Sequence, residues 1–290
     1  MKGIQNWKIW LLFALLCFTW GSSFLLIKMG LETYSPIQVA VIRLCSTLPF
    51  VTPFALRSLG KIPKSSLGVV VIVGLISTLI PSFLFALAQT KVNSATAGIL
   101  NATVPIFTVV VGYLFFKVKI KKVQLLAVVA GLFAVGAVIV QRRGTDFSIN
   151  YFTLFILLAT LGYGFNINTV RNQLHQVDAF AIAMVSVFFS GLLALPLLAL
   201  HWWSYANATD LENLAPLKAL LLLGVLGTAL AQYLQNAIIK STDVAFASSV
   251  TYVIPIVAVC WGILDGEAMD TSTLISGLGI LLCVYFIRKG

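Results

Sequence analysis

The chain has 290 residues, 60% of them hydrophobic and 10% charged, with a mean hydropathy of +1.01. A soluble domain is about 45–50% apolar and about 25% charged, so most of this surface meets lipid. That composition excludes a disordered chain, a secreted disulfide scaffold and an ordinary soluble enzyme. The formal charge of +10 comes from 19 Lys and Arg against 9 Asp and Glu. With no basic stripe interleaved with aromatics, it predicts basic cytoplasmic loops and no nucleic-acid partner.

In chain order, ten apolar runs approach the roughly 20 residues that a bilayer core requires. They are Ile9–Ile27, Pro36–Leu56, Leu67–Leu87, Thr96–Phe116, Val123–Val140, Phe152–Val170, Phe180–Leu200, Leu217–Ile239, Ala245–Leu264 and Thr271–Ile287. Continuous runs argue for helices, because a transmembrane barrel alternates in period two. The predicted fold is therefore all-α integral membrane, with about ten transmembrane helices. The first run follows Lys2 and Lys8 and lacks a small-x-small cleavage site, so it is expected to be retained as a span. The longest connection, from about His201 to Pro216, carries Asn207, Asp210 and Glu212 and leaves no room for a soluble domain.

With the N-terminus in the cytoplasm, thirteen Lys and Arg fall on the cytoplasmic side and five on the other, with Arg43 inside a span. The asymmetry predicts that both termini are cytoplasmic, in a plasma or bacterial inner membrane.

The sequence repeats. At an offset of 143, Trp20, Gly21, Ser23 and Lys28 meet Tyr163, Gly164, Asn166 and Arg171, and Pro53 meets Pro196. At an offset of 150, Gly74, Thr78, Pro105 and Gly112 meet Gly224, Thr228, Pro255 and Gly262. At 146, Gly131 and Leu132 meet Gly277 and Leu278. Two five-helix repeats follow, residues 1–143 and 144–290, in one membrane domain. Five is odd, so the second copy enters the bilayer from the opposite side. Such inverted repeats suit alternating access.

Small and polar residues recur at helical spacing. Asn101 and Pro105 share a face of the fourth span, and Thr251 and Pro255 the matching face of the ninth, with Tyr252 beside it. Thr228, Gln232 and Gln235 line one face of the eighth span and Thr78 a face of the third; Trp20, Ser23, Tyr163 and Asn166 add to the set from the first and sixth. Two roles remain open for these residues: helix packing through small side chains and interhelical hydrogen bonds, or the wall of a substrate cavity. The amides favour a cavity, since lipid offers no partner for donors and acceptors. The matched prolines free backbone carbonyls, which are tolerated where they line a wet cavity. Arg43 has two readings: snorkelling to the outer interface, or facing the bundle to attract an anionic group. Lys28 and Arg171 are expected as topology anchors, and Ser94 and Asp243 as helix N-caps. His175 and His201 fall near interfaces and are expected to be solvated loop residues.

No carboxylate lies in mid-membrane, which argues against a carboxylate proton relay. Cys17, Cys45, Cys260 and Cys283 lie in apolar runs without paired spacing, so no metal or cofactor is expected. The combinations that intramembrane proteolysis or prenyl transfer needs are missing, so an enzyme is not expected. A channel or a structural membrane partner is the alternative to a carrier.

These features resemble the drug/metabolite transporter superfamily, and within it the EamA-type ten-helix exporters. The similarity rests on Thr19-Trp20-Gly21-Ser22-Ser23-Phe24 followed by Lys28, on Arg43 in the second span, on Pro105 and Pro255, on Gly131, and on Leu264-Asp265-Gly266-Glu267. The resemblance implies a secondary transporter, a monomer or weak dimer, that exports a small metabolite or amino acid. One departure is Lys117, the first-half counterpart of Glu267, where that family often has Glu; a role that needs both acids is not expected. Val244-Ala245-Phe246-Ala247-Ser248 does not match the nucleotide-sugar branch, so that substrate class is not expected.

Overall fold

The computed structural model describes residues 7–289 except 144–145, 201–203, 206–207, 210–211, 243 and 268–270, and the backbone alone of 139–143, 146–149, 244–246, 248–249 and 288–289. Its helices are α1 (Trp7–Leu31), α2 (Pro36–Cys45), α3 (Leu48–Leu59), α4 (Lys64–Gly74), α5 (Ile80–Ala88), α6 (Ser94–Asn101), α7 (Val104–Phe116), α8 (Lys122–Ile139), α9 (Thr153–Asn172), α10 (Ala179–Leu200), α11 (Ala215–Gly224), α12 (Ala231–Ser241), α13 (Val244–Leu264) and α14 (Thr271–Lys289). Among the described residues six runs are long and apolar enough to cross a membrane: α1, α4–α5, α6–α7, α9, α10 and α11–α12. A seventh span is the pair α2–α3, bent by 50°, and α8, α13 and α14 contain shorter apolar helices. These occupy the ten places that the apolar runs mark.

The breaks within spans have local causes. Between α2 and α3 the hydroxyls of Ser46 and Thr47 donate to the carbonyls of Arg43 and Leu44, and Pro49 opens the next helix without an N–H to give. Between α6 and α7, Thr103 donates back to Leu100 at 2.8 Å, and Pro105 sits in the first turn of α7. Its counterpart Pro255 lies inside a continuous α13. The third and eighth spans each carry a π-helical turn, Leu75–Leu79 and Val225–Leu230, directly after Gly74 and Gly224. Such turns interrupt the regular ladder and are frequent at functional sites.

The repeat is visible in packing. A Cβ on Gly74 would collide with the carbonyl of Ser186, and one on Gly224 with the carbonyl of Arg43. Positions 43 and 186 differ by 143, the offset of Pro53 and Pro196. Likewise Gly21 lies against Val257 and Gly164 against Phe107, positions that differ by 150. The Trp-Gly-Ser stretch thereby has a structural reason. Gly21 lets α1 approach α13, and Trp261 Nε1 donates to Ser22 Oγ at 2.8 Å beside it.

Three details depart from the sequence expectation. The fifth helix ends at Ile139, and β1 (Val140–Arg143) pairs antiparallel with β2 (Asp146–Ile149), Val140 opposite Ile149. Asn93, not Ser94, caps α6: its side chain accepts from Thr96 N at 2.8 Å, while the Ser94 hydroxyl donates to the carbonyl of Phe24. Beyond α10, Ser204 accepts from Gln38 and Thr209 bonds Tyr34, long-range contacts that no sequence spacing marks. The expected cap Asp243 and the loop residues His201, Asn207 and Asp210 lie outside the described residues.

Candidate functional site

Seven spans converge on one elongated cavity of about 70 Å³, room for a handful of water molecules. Helix α1 contributes Leu16, Trp20, Ser23 and Ile27, spaced 4, 3 and 4 along one face, and α9 contributes Tyr163, Ile167 and Arg171, one residue per turn. Asn101, Pro105 and Thr108 enter from α6–α7, Gln235 and Ile239 from α12, Ala247 and Thr251 from α13, Phe85 from α5 and Arg43 from α2. Both halves of the chain therefore build the wall. Exposed Arg171 marks the mouth; buried Ile27 and Phe85 close the other end.

The rings of Trp20 and Tyr163 stack at 6.4 Å with their planes 16° apart, and Phe85 continues the tier against Tyr163 at 6.3 Å and 20°. Trp20 and Tyr163 are repeat counterparts, so this pair joins the two halves face to face. Beside it, Arg43 Nε donates to Thr228 Oγ1 at 2.8 Å, and that hydroxyl donates to Leu223 O five residues back, within the π turn. Of the two readings of Arg43, the placement is thus toward the bundle and its cavity.

Eight of the fourteen residues singled out from the sequence lie in this wall: Trp20, Ser23, Arg43, Asn101, Pro105, Tyr163, Gln235 and Thr251. Thr228 stands behind it and holds Arg43. Gln232 points elsewhere, donating to Ser77 Oγ at 3.3 Å. Thr78, Asn166, Tyr252 and Pro255 are not among the lining residues. Asn166 is fully buried with no hydrogen-bond partner for either amide atom among the described residues. Its neighbour Asn168 clamps α9 to α7, donating to the carbonyls of Thr108 and Gly164 at 2.9 Å each. Phe85, Thr108 and Arg171, the last expected as a topology anchor, also line it. The signals for them were present: Phe85 is the repeat counterpart of Gln235, and Arg171 follows Tyr163 by eight residues.

A polar network closes the end near Ile27. Lys28, expected as a topology anchor, reaches across to Asp265 and, at 3.1 Å, to Glu267. The Glu267 side chain is 3% exposed and also accepts the backbone N–H groups of Ser94 at 3.0 Å and Ala95 at 3.1 Å. A carboxylate on a helix N-terminus is favourable on both hydrogen-bond and dipole grounds. Burial pushes the Glu267 carboxyl up, but Ala95, Ser94 and Lys28 together outweigh it and hold it below the ordinary carboxylate range. At the cavity mouth the counterparts of Lys28 and Glu267 are Arg171 and Lys117, two like charges. Lys240 there ties down the loop before α10 through the carbonyls of Leu174, His175 and Val177, with His175 exposed. Asp178 caps α10 by accepting from Phe180 N and Ala181 N.

Comparison with known proteins agrees with this architecture. The model of the EamA-like transporter family matches twice, over residues 7–140 and 151–289. An uncharacterized inner membrane transporter of Escherichia coli K12, YedA, is 24% identical over 285 residues, covering 93% of this chain and 87% of its own. Protein PagO of Salmonella typhimurium is 21% identical, covering 96% and 92%. An uncharacterized transporter of Archaeoglobus fulgidus is 26% identical, covering 97% of both chains. A crystal structure of 14% sequence identity superposes with a TM-score of 0.67 over 97% of this chain and 96% of its own, a likeness of fold. Ten membrane helices in two repeats and a family model matched in each half lead to one conclusion: the chain belongs to the EamA-like transporter family, a multi-pass membrane transporter.

Proposed function

We propose that the chain is a secondary transporter that exports a small metabolite or amino acid by alternating access of two inverted repeats, 1–143 and 144–290. The observation that carries this reading is a cavity walled by both repeats, with exposed Arg171 at one end and buried Ile27, beside the Lys28–Glu267 pair in sequence, at the other. The double family match and the repeated glycine contacts support the division into halves. The excess of Lys and Arg on one side supports cytoplasmic termini, which puts the Arg171 mouth toward the cytoplasm. In that orientation a cytoplasmic solute enters the open mouth and meets the aromatic tier and the amides of Asn101 and Gln235. Exchange of conformations between the halves then opens the Ile27 end. A monomer or weak dimer suffices, because the cavity is complete within one chain.

The test is export from cells that express the chain. Cells are loaded with a mixed pool of amino acids and small organic acids, and the medium is assayed by mass spectrometry. Selective appearance of one solute class, reduced by Gln235→Leu at equal expression, is the expected result. No solute enriched over cells without the chain contradicts the reading.

A further inference from the structure

The cavity carries a charge imbalance that helix packing does not explain. Arg43 is the eighth residue of α2, about 11 Å along the helix from its start at 1.5 Å per residue. Its Nε is used on Thr228, whereas the Nη groups make no hydrogen bond and no ion pair among the described residues, where Lys28 forms the ion pairs. An arginine at membrane depth ordinarily finds a counter-charge or a row of carbonyls. The repeat gives an internal control. Gly74 leans on the carbonyl of residue 186 as Gly224 leans on the carbonyl of residue 43, and residue 186 is serine. The close approach therefore needs only the backbone at this position, and the guanidinium is surplus to it.

Two further groups have unspent hydrogen bonds. Asn101 and Gln235 are 6% and 8% exposed, line the cavity, and have no hydrogen-bond partner within the protein among the described residues. Among the described residues no Asp or Glu lines the cavity, which carries a second cation, Arg171. An ammonium would find no carboxylate in this wall. A carboxylate would find the planar fork of Arg43, which suits bidentate binding. The near-parallel rings of Phe85, Tyr163 and Trp20 add a flat apolar wall alongside.

Resting on the transporter reading above, we propose that the substrate is a net-anionic organic carboxylate with a flat apolar body, its carboxylate on Arg43 and its body against the aromatic tier. The amides of Asn101 and Gln235 serve its remaining polar atoms, and Arg171 draws it to the mouth.

The test uses purified full-length protein in a neutral detergent and four probes: phenylacetate, its neutral isostere phenylacetamide, phenethylamine, and acetate. Ligand binding is read from the rise in Tm with concentration. Phenylacetate is expected to stabilise the protein, with phenylacetamide and phenethylamine at least about tenfold weaker, the loss expected for a charge-assisted hydrogen bond, and acetate weaker for want of the apolar body. Arg43→Gln is expected to abolish the preference for phenylacetate over phenylacetamide. If that variant is not monodisperse, Arg43→Lys replaces it, with the preference for the anion kept and the affinity reduced. No stabilisation by phenylacetate, equal or tighter binding of the amide or amine, or an unchanged preference in Arg43→Gln overturns the proposal. Counterflow of radiolabelled phenylacetate in proteoliposomes separates the two claims. Arg43-dependent binding without counterflow leaves the anion site standing and removes the transporter reading. Saturable counterflow of phenethylamine with no response to phenylacetate does the reverse.

Discussion

At the scale of single residues, helical phase decides what a polar side chain does. Gln232 and Gln235 are three residues apart on α12, yet Gln235 lines the cavity and Gln232 bonds Ser77. Gln235→Leu is expected to lower transport several-fold at unchanged Tm. Gln232→Leu removes one interhelical bond of the kind worth about 0.6 kcal/mol on average in a membrane, and Ser77 keeps its bond to Val73 O. Its expected effect is a small fall in Tm with transport retained, checked by flux and thermal denaturation of both variants. The same phase effect separates Tyr163, in the wall, from Asn166, three residues on and behind it. The sequence marks both as unusual within an apolar span. Which of them faces the cavity depends on how α9 is rotated against its neighbours, and that is set by the contacts of Gly164 and Asn168 with α7.

Glu267 has a pH dependence with a definite sign. Its carboxyl is held below the ordinary range in the folded protein, so its stabilising contribution is complete above the ordinary glutamate value of about 4.3 and is lost as pH falls through the lower folded value. The Tm difference between the native chain and Glu267→Gln is expected to be constant near neutral pH and to shrink only on strong acidification. A difference that already vanishes on lowering the pH from 7 to about 5 would contradict the assigned hydrogen bonds.

At the scale of elements, the ten spans were legible because a lipid-facing helix needs an unbroken apolar run, and each run survives as one helix or a broken pair. The interruptions were less legible. Pro105 coincides with a break and Pro255 does not, because a helix can absorb one missing bond if its neighbours hold it in line. The π turns leave no local residue signature, although Gly74 and Gly224 precede them and were visible as a repeat pair. These glycines offer a graded test. A side chain at Gly224 would push into the Arg43 carbonyl and at Gly74 into that of Ser186. Valine at either is expected to destabilise by about 1–3 kcal/mol, as overpacking does. Gly224→Val is expected also to weaken phenylacetate binding, because the helix it displaces carries Arg43. Equal ligand affinity in the two variants, measured by thermal shift, would contradict that link.

At the scale of the whole molecule, the two halves are alike in backbone contacts and unlike in charge. The Ile27 end is closed by Lys28, Asp265, Glu267 and the first N–H groups of α6. The equivalent contact at the mouth would set Arg171 against Lys117. The substitution of Lys117 for an acid was readable in the sequence. The closing pair was not, since Lys28 and Glu267 are 239 residues apart and meet only in the assembled bundle. On the alternating-access proposal, this asymmetry favours a state closed beside Lys28 and open beside Arg171. Weakening the closed end is expected to shift the balance the other way.

That shift tests the central claim, one cavity whose access alternates between the two sides, most directly. Cys17, Cys45, Cys260 and Cys283 are replaced by alanine, and Ile27→Cys or Ala247→Cys is introduced singly. Labelling by a membrane-impermeant maleimide is then measured in right-side-out and inside-out vesicles, with and without Glu267→Gln. The account predicts that Ala247→Cys is labelled from the cytoplasmic face and Ile27→Cys from neither, and that Glu267→Gln raises outside labelling of Ile27→Cys while lowering that of Ala247→Cys. Labelling of both positions from both faces at once, or no reciprocal change with Glu267→Gln, would contradict it.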